Sequence, residues 1–376
     1  VKVLTIFGTR PEIIRLSQVI RQLDRLCDHV LVHTGQNYDP ALSDVFFNEM
    51  AIRFPDVHLG IQASGFAQQA ALILERSAEV LQAQRPDRLL VLGDTNSGLS
   101  AIVAARMGIP VFHMEAGNRC YDDRVPEELN RRIIDHCSTV LMPYTHRSKE
   151  NLLREGIERQ RIYVIGNPIY EVLNAHTAPV DASSILKHLD VQPSNYFLAT
   201  LHRAENVDFP DRLKRLVAGL SAVAEEFGQP IVVSVHPRTT DQMRRHGVSP
   251  QSDRVRLVPP LGFFDFVKLE RNARCVLSDS GTVQEECCIL RVPNVTIRDV
   301  TERPETIECG SNVLTGDERD SILTAVRVAL TTPPEWLPPA EYVTSNVSAT
   351  VARIVLGYCG APHSSRVVVT SLGAFQ

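Results

Sequence analysis

Short apolar runs alternate with longer amphipathic ones from the start of the chain. Residues 1–7 predict a strand and 12–26 a helix with apolar positions at helical spacing. Residues 29–33 are rich in β-formers, 66–84 predict a helix, and 89–92 a buried strand ending at Gly93-Asp94. A helix over 96–107, a strand over 110–114 ending at Glu115, and a helix over 127–136 follow. Residues 140–142 and 162–165 predict two more strands around a charged helix at 146–156. The rhythm pauses over 177–194, which is polar and carries Pro179 and Pro193. It then restarts with apolar runs 197–201, 231–235, 255–258, 275–278 and 295–297, leading to His202, His236, Pro259-Pro260, Asp279-Ser280-Gly281 and Arg298-Asp299. A helix over 345–358 closes the pattern. Strands alternating with helices imply parallel sheets covered on both faces. The expected class is therefore α/β, with two doubly wound Rossmann-like domains at 1–168 and 169–360, the boundary lying in 168–194. A tail follows at 361–376, with a β-like run Arg366-Val367-Val368-Val369-Thr370. Two such domains facing each other would leave a cleft at the carboxyl ends of the strands, where doubly wound folds bind ligands.

Composition narrows the picture. The 376 residues are enough for two cores, and 39 basic against 44 acidic residues leave a net charge of -5. That balance argues against a protein built to hold nucleic acid or an anionic membrane. No apolar run approaches the roughly 18 residues of a membrane span, and Gly8-Thr9-Arg10-Pro11 follows the first short run too soon for a signal peptide, so a cytoplasmic location is expected. The eight cysteines form no CxxC pair and the histidines no HExxH pattern, so buried free thiols and no metal site are expected.

Chemistry-bearing residues gather at the predicted strand ends. Gly8-Thr9-Arg10-Pro11-Glu12 follows the first strand and leaves Arg10 free to meet an anion, or is an ordinary βα turn with a surface arginine. Ser280 can cap a helix whose first residues, Gly281 and Thr282, then offer backbone N–H groups to a phosphate; Glu286, nearly two turns on, can reach ribose hydroxyls. Arg298 and Arg303 stand at another strand end, and either could complete a diphosphate clamp. Asp94 and Glu115 end neighbouring strands, where a carboxylate is costly unless paired or used. Glu127 opens a helix and shares a face with Arg131, which permits a simple salt bridge. Of the strand-end histidines, His202 is the better catalytic candidate and His236 the weaker. Neither GxGxxG nor GxxxxGK[ST] occurs, so dinucleotide and ATP-loop readings lose ground.

These motifs, in this order, resemble the non-hydrolysing UDP-N-acetylglucosamine 2-epimerases. The resemblance rests on Gly8-Thr9-Arg10-Pro11-Glu12, Gly93-Asp94-Thr95, His113-Met114-Glu115-Ala116-Gly117, Pro126-Glu127-Glu128, Leu201-His202-Arg203, Asp279-Ser280-Gly281 with Gln284-Glu285-Glu286, and Thr301-Glu302-Arg303-Pro304-Glu305. It implies the two-domain GT-B arrangement, with UDP held mainly by the second domain. It places Asp94, Glu115, Glu127 and His202 in catalytic positions. Arg10, Arg15, Arg131, His202, His236, Phe266, Ser280, Gly281, Thr282, Glu286 and Arg303 fall in or beside the substrate site, Phe266 next to the uracil. It also implies a cytoplasmic homodimer in cell-surface polysaccharide synthesis. Arg15 stands where lysine is common in the family. Asn118-Arg119-Cys120-Tyr121-Asp122-Asp123-Arg124-Val125 and Thr34-Gly35-Gln36-Asn37-Tyr38-Asp39 are similar to the branch that makes UDP-N-acetyl-L-fucosamine. The second of these replaces the segment that, in many bacterial members, helps to bind a second, activating UDP-N-acetylglucosamine.

The implied reaction inverts C2 of a UDP-linked 2-acetamido sugar. With no carbonyl on C2, direct deprotonation faces a high barrier. The family route eliminates UDP to give a 2-acetamidoglycal and adds it back with a proton on the other face. This redox-neutral path calls for no cofactor. A GT-B glycosyltransferase is the nearest rival, since it would hold UDP in the same way. A catalytically dead nucleotide-sugar sensor is the rival from another class, and the full set of acid/base residues argues against it.

Overall fold

The computed structural model describes residues 1–35, 40–63, 65–331 and 333–359. The β-like run at 366–370 and residues 36–39 of the segment similar to the L-fucosamine branch lie outside the described residues. The chain divides into two compact units. One is Val1–Val172 together with the described residues from Thr344, and the other is Leu173–Val343.

The first unit is built on β1 (Lys2–Phe7), β2 (Asp28–His33), β3 (Val57–His58), β4 (Arg88–Leu92), β5 (Val111–Met114) and β6 (Val140–Met142). They form one sheet in the order β3-β2-β1-β4-β5-β6, every pair parallel. The second unit contains β7 (Phe197–Leu201), β8 (Ile231–Val235), β9 (Val255–Val258), β10 (Cys275–Ser278), β11 (Asn294–Thr296) and β12 (Asn312–Leu314). Their order, β12-β11-β10-β7-β8-β9, is the same topology read from the other edge, again all parallel. Both sheets thus have the doubly wound order in which the chain runs outward one way and then the other. The reversal lies between β1 and β4 in one unit and between β7 and β10 in the other. The central strands read as continuous apolar runs because helices cover both faces: Val3, Leu4, Ile6 and Phe7 have no exposed surface.

Several elements differ from the sequence expectation. Residues 162–165 run beside β6, with Tyr163 and Ile165 donating to the Leu141 and Pro143 carbonyls, but only Leu141 and Ile162 pair. Pro143 has no N–H to return a bond, so the ladder stops. The polar pause holds two short helices, Thr177–Ala182 and Ile185–His188, and the helix expected from residue 96 opens with a 3₁₀ turn, Asn96–Leu99. The closing helix, Val347–Gly357, belongs to the first unit, not to the end of the second. Arg88 of β4 donates to the carbonyls of Val355 and, at 2.8 Å, Tyr358, and the Tyr358 ring stands edge-on to Phe112 at 5.4 Å. Glu171 accepts from the Ser348 N–H at 2.8 Å and its hydroxyl at 2.6 Å, fixing the start of that helix.

All eight cysteines are free thiols, but only Cys275, Cys287 and Cys288 are buried; Cys359 is exposed. Among the described residues, no helix is long and apolar enough to cross a membrane, and no cluster of three His, Cys, Asp or Glu side chains could hold a metal ion.

Glu12 joins the two sides of the first unit's reversal. Its carboxyl accepts from the Gly8 N–H at 3.1 Å and the Thr9 hydroxyl at 2.8 Å, and from Thr95, beyond β4, at 3.2 Å. Burial pushes it up to about 7 from the ordinary 4.5, against the lowering effect of those hydrogen bonds. A carboxyl raised on folding binds its proton more tightly in the native state, so wild-type stability falls as pH rises from about 4.5 to 7 and is then level. Glutamine mimics the protonated side chain, with its oxygen toward Gly8 and Thr9 and its NH₂ toward Thr95. Glu12→Gln should therefore match wild type near pH 4.5 and gain on it by up to about 3 kcal/mol above pH 7. Denaturant titrations across that range check this; a pH-independent difference would refute it.

Candidate active site

In the first unit, three strand ends present the polar residues. Gly93, with φ +71°, turns the chain after β4 and sets Asp94 beside Arg131, whose guanidinium lies 2.6 Å away. Arg131 also bonds Glu128 at 2.8 Å. Glu128 is thus a partner of Arg131 on this helix, Pro126–Cys137. Fully buried Glu128 also accepts the N–H groups of Cys120 and Tyr121 at 3.1 and 3.2 Å. Burial alone would raise its carboxyl, but those donors and Arg131 hold it below the usual carboxylate range. Glu127 is half-buried in the first helical turn.

Glu115 ends β5 in a left-handed conformation, φ +66°, which costs a non-glycine residue on the order of 1 kcal/mol or more. Its buried carboxylate pairs with Arg15 and accepts from the Asn118 side chain at 3.1 Å. Arg15 in turn lies over the Tyr144 ring, 5.8 Å from its centre. The sequence left Asp94 and Glu115 to be either paired or used, and placed Arg15 in or beside the substrate site. Both carboxylates are ion-paired, and Arg15 is engaged by Glu115. Arg10 differs: it stacks on Phe46 at 5.7 Å, and no carboxylate pairs with it among the described residues. Partial burial lowers its guanidinium from the ordinary value.

Beneath these residues lies a network that the sequence reading did not assign. Asp135, with no exposed surface, meets His113 Nδ1 at 2.9 Å, Arg119 at 2.8 Å and the Gly117 N–H at 3.2 Å. The other His113 nitrogen lies 2.8 Å from the Gly93 carbonyl. His113 thus ties the turn bearing Asp94 to the helix Pro126–Cys137. Burial opposes ionisation of Asp135, but His113 and Arg119 outweigh it and hold its carboxyl low. His113 stood inside a quoted motif, which was the signal; Asp135, 22 residues on, carried none.

The second unit repeats the plan with other chemistry. Asp279, fully buried after β10, receives His202 Nδ1 at 2.8 Å, the N–H groups of His202 and Arg203 at 2.9 Å each, and Asn206 at 3.2 Å. Burial would raise Asp279, yet the His202 charge and these donors bring its carboxyl well below the usual range. His202, after β7, keeps 40% of its side chain exposed. With Nδ1 turned to Asp279, its Nε2 is the nitrogen open to a ligand.

Ser280 occupies the N-cap of the helix Gly281–Leu290, but its side chain makes no capping bond to it. The motif behind it divides its labour. Gln284 accepts from Thr301 at 2.6 Å, Glu285 pairs with Arg303, and Glu286 faces Glu270. Burial, then the Glu286 charge, hold the fully buried Glu270 carboxyl well above the usual range. Arg303 lies against Gly281, 3.7 Å from where a Cβ would stand. Arg298 does not serve as a clamp: it is buried and bonded to Glu302 at 2.9 and 3.1 Å and to Glu205 at 3.1 Å. His236 caps the helix Pro237–His246, its Nδ1 accepting from the Arg238 N–H at 3.2 Å. Phe266 is half-buried on the helix Phe263–Asn272.

Known proteins share this arrangement. The sequence profile of the UDP-N-acetylglucosamine 2-epimerase family matches residues 21–356. The UDP-N-acetylglucosamine 2-epimerase of Methanocaldococcus jannaschii is 40% identical over 346 residues, covering 90% of this chain and 94% of that protein. The UDP-2,3-diacetamido-2,3-dideoxy-D-glucuronate 2-epimerase of Pseudomonas aeruginosa is 36% identical over 338 residues, covering 88% and 92% respectively. A crystal structure of the Methanocaldococcus jannaschii UDP-GlcNAc 2-epimerase in complex with UDP-GlcNAc and UDP gives a TM-score of 0.91 at 38% identity, covering 95% of this chain and all of that one. With well over half of its length matched, the chain belongs to the UDP-N-acetylglucosamine 2-epimerase family of isomerases.

Proposed function

We propose that the chain interconverts UDP-N-acetylglucosamine and UDP-N-acetylmannosamine by elimination and re-addition of UDP. The observation that carries this reading is the division of chemistry between the two reversal points. One has carboxylates held by arginines; the other has a helix start with no side-chain cap bond beside an aspartate-anchored histidine. The C1–O bond to UDP breaks as a base removes the C2 proton, leaving a 2-acetamidoglycal and UDP. Addition of UDP to C1 with a proton delivered to the other face of C2 gives the epimer. Nothing is oxidised and no water is consumed.

Each residue takes a role by its chemistry. Asp94, Glu115 and Glu127 move the C2 proton and stabilise positive charge at C1. Arg10, His202 and the N–H groups of Gly281 and Thr282 meet the diphosphate as it departs. Glu286 takes the ribose hydroxyls, and Phe266 lies beside the uracil. Arg15 and Arg131 hold Glu115 and Asp94, and Arg303 holds its charge behind the helix start. His236, with Nδ1 occupied, offers Nε2–H as a donor. The names of the relatives favour a D-gluco substrate over the 6-deoxy-L-sugar, and an epimerase over a glycosyltransferase. A cytoplasmic homodimer serving polysaccharide synthesis completes the reading; light scattering should then give twice the mass of one chain.

The direct test is incubation with UDP-N-acetylglucosamine alone in deuterated water. NMR should show the 2-epimer with deuterium at C2; turnover of UDP-6-deoxy-L-sugars only would move the protein to the other branch. Asp94→Asn, Glu115→Gln and Glu127→Gln should each lose on the order of 10²-fold or more in kcat. Because Glu115 neutralises buried Arg15, Glu115→Gln should also lower the melting temperature, whereas Glu127→Gln should leave it near wild type. Near-normal turnover would remove a residue from the chemistry. Glu286→Ala should weaken UDP binding by about 1–3 kcal/mol in calorimetry, and unchanged affinity would leave Glu286 as a partner of Glu270 alone.

A further inference from the structure

We infer that Cys309 and Cys288 form an oxidisable dithiol, in which Cys309 attacks an incoming disulfide and Cys288 resolves it. The epimerisation proposed above uses neither thiol. Their sulfurs lie 3.6 Å apart. Cys288 is buried in the helix Gly281–Leu290; Cys309 caps the end of the helix Pro304–Glu308 and is half-buried, so a small reagent reaches it first. The surroundings assign different roles. The Ser311 hydroxyl lies 3.4 Å from Cys309 Sγ. The hydrogen bond from Cys288, and then those from Ser311, draw the Cys309 thiol down to about 6 against its partial burial. The same bond, with burial, raises Cys288. The accessible sulfur is thus the more readily ionised of the two, and the buried one the less. Cys275 and Cys287 lack this division: burial raises both.

The chemistry balances with a small organic disulfide such as glutathione disulfide as the oxidant. The Cys309 thiolate attacks one sulfur of the reagent. The reagent's S–S bond breaks, and the thiolate that leaves takes a proton. Cys288 then gives up its proton and attacks Cys309 Sγ, expelling the second small thiol. Two protein thiols become one disulfide, and one small disulfide becomes two thiols. An S–S bond is about 2.05 Å long, so the sulfurs close by roughly 1.5 Å from their present contact. The new bond would tie the helix bearing Ser280 and Glu286 to the end of the segment bearing Arg303, enclosing β11.

The test uses the full chain incubated with glutathione disulfide near pH 7.5, acid-quenched, and mapped by mass spectrometry. Wild type should yield a peptide pair joined through Cys288 and Cys309 with no glutathione retained there. Cys288→Ser should stop at a mixed disulfide on Cys309, and Cys309→Ser should leave Cys288 unmodified. Cys309 should react at least tenfold faster than exposed Cys359. Trp336, the only tryptophan, gives an independent signal, because its ring N–H donates to the Cys288 carbonyl at 3.0 Å. Its fluorescence should change with disulfide formation in wild type and stay constant in Cys288→Ser. A persistent mixed disulfide in wild type, or Cys309 no more reactive than Cys359, would overturn the proposal.

Discussion

A carboxylate without access to water must be repaid by donors, and that requirement shapes both halves of this protein. Asp135 and Asp279 have no exposed surface, and removing such a charge from water costs several kcal/mol. Each is repaid by a histidine ring and by backbone N–H groups: His113 and Gly117 around Asp135, His202 and Arg203 around Asp279. Arg119 adds a guanidinium to the first and Asn206 an amide to the second. Those donors come from β5 and from the segments leaving β5 and β7. The desolvation cost thereby becomes a positional constraint, and residues beside the anchors inherit a fixed place. Glu115 shows the price of that fixity: it stays in the left-handed region although glycine would adopt it at less cost.

Most strands were legible as apolar runs. β1, β4, β7 and β8 each have five or six residues, enough for such a run to stand out, and even the three-residue β6 and β11 were read at 140–142 and 295–297. No run was read over β3, with two residues, or β12, with three, and both are sheet edges. The run 162–165 had the right composition and fails for a reason located elsewhere, in Pro143. The closing helix was legible as a helix, but its attachment to β4 depends on Arg88, some 267 residues from Val355. No local pattern carries such a contact.

The same division applies to the polar residues. That Asp94, Glu115, His202 and Ser280 stand at strand ends followed from alternation alone. Which carboxylate meets which arginine did not. Spacing pointed to Glu127 with Arg131; it did not reveal that Arg131 bonds Glu128 and Asp94, or that the loop bringing in Cys120 and Tyr121 donates to Glu128. Glu12 and Glu270 were invisible as special groups, since a glutamate's titration depends on what covers it. Arg298 and Arg303 looked alike in sequence; bonds to Glu302 and Glu205 enclose one, while the other stands behind a helix start.

The return of Val347–Gly357 to the first unit makes the second unit, in chain terms, an insertion into the first. During synthesis from the amino end, the sheet β7–β12 has all its strands and can fold as soon as it emerges. The sheet β1–β6 has its strands sooner still, but its Arg88 side lacks the Val355 and Tyr358 carbonyls until the second unit has been made. The half of the protein that is translated first is therefore the half that is completed last.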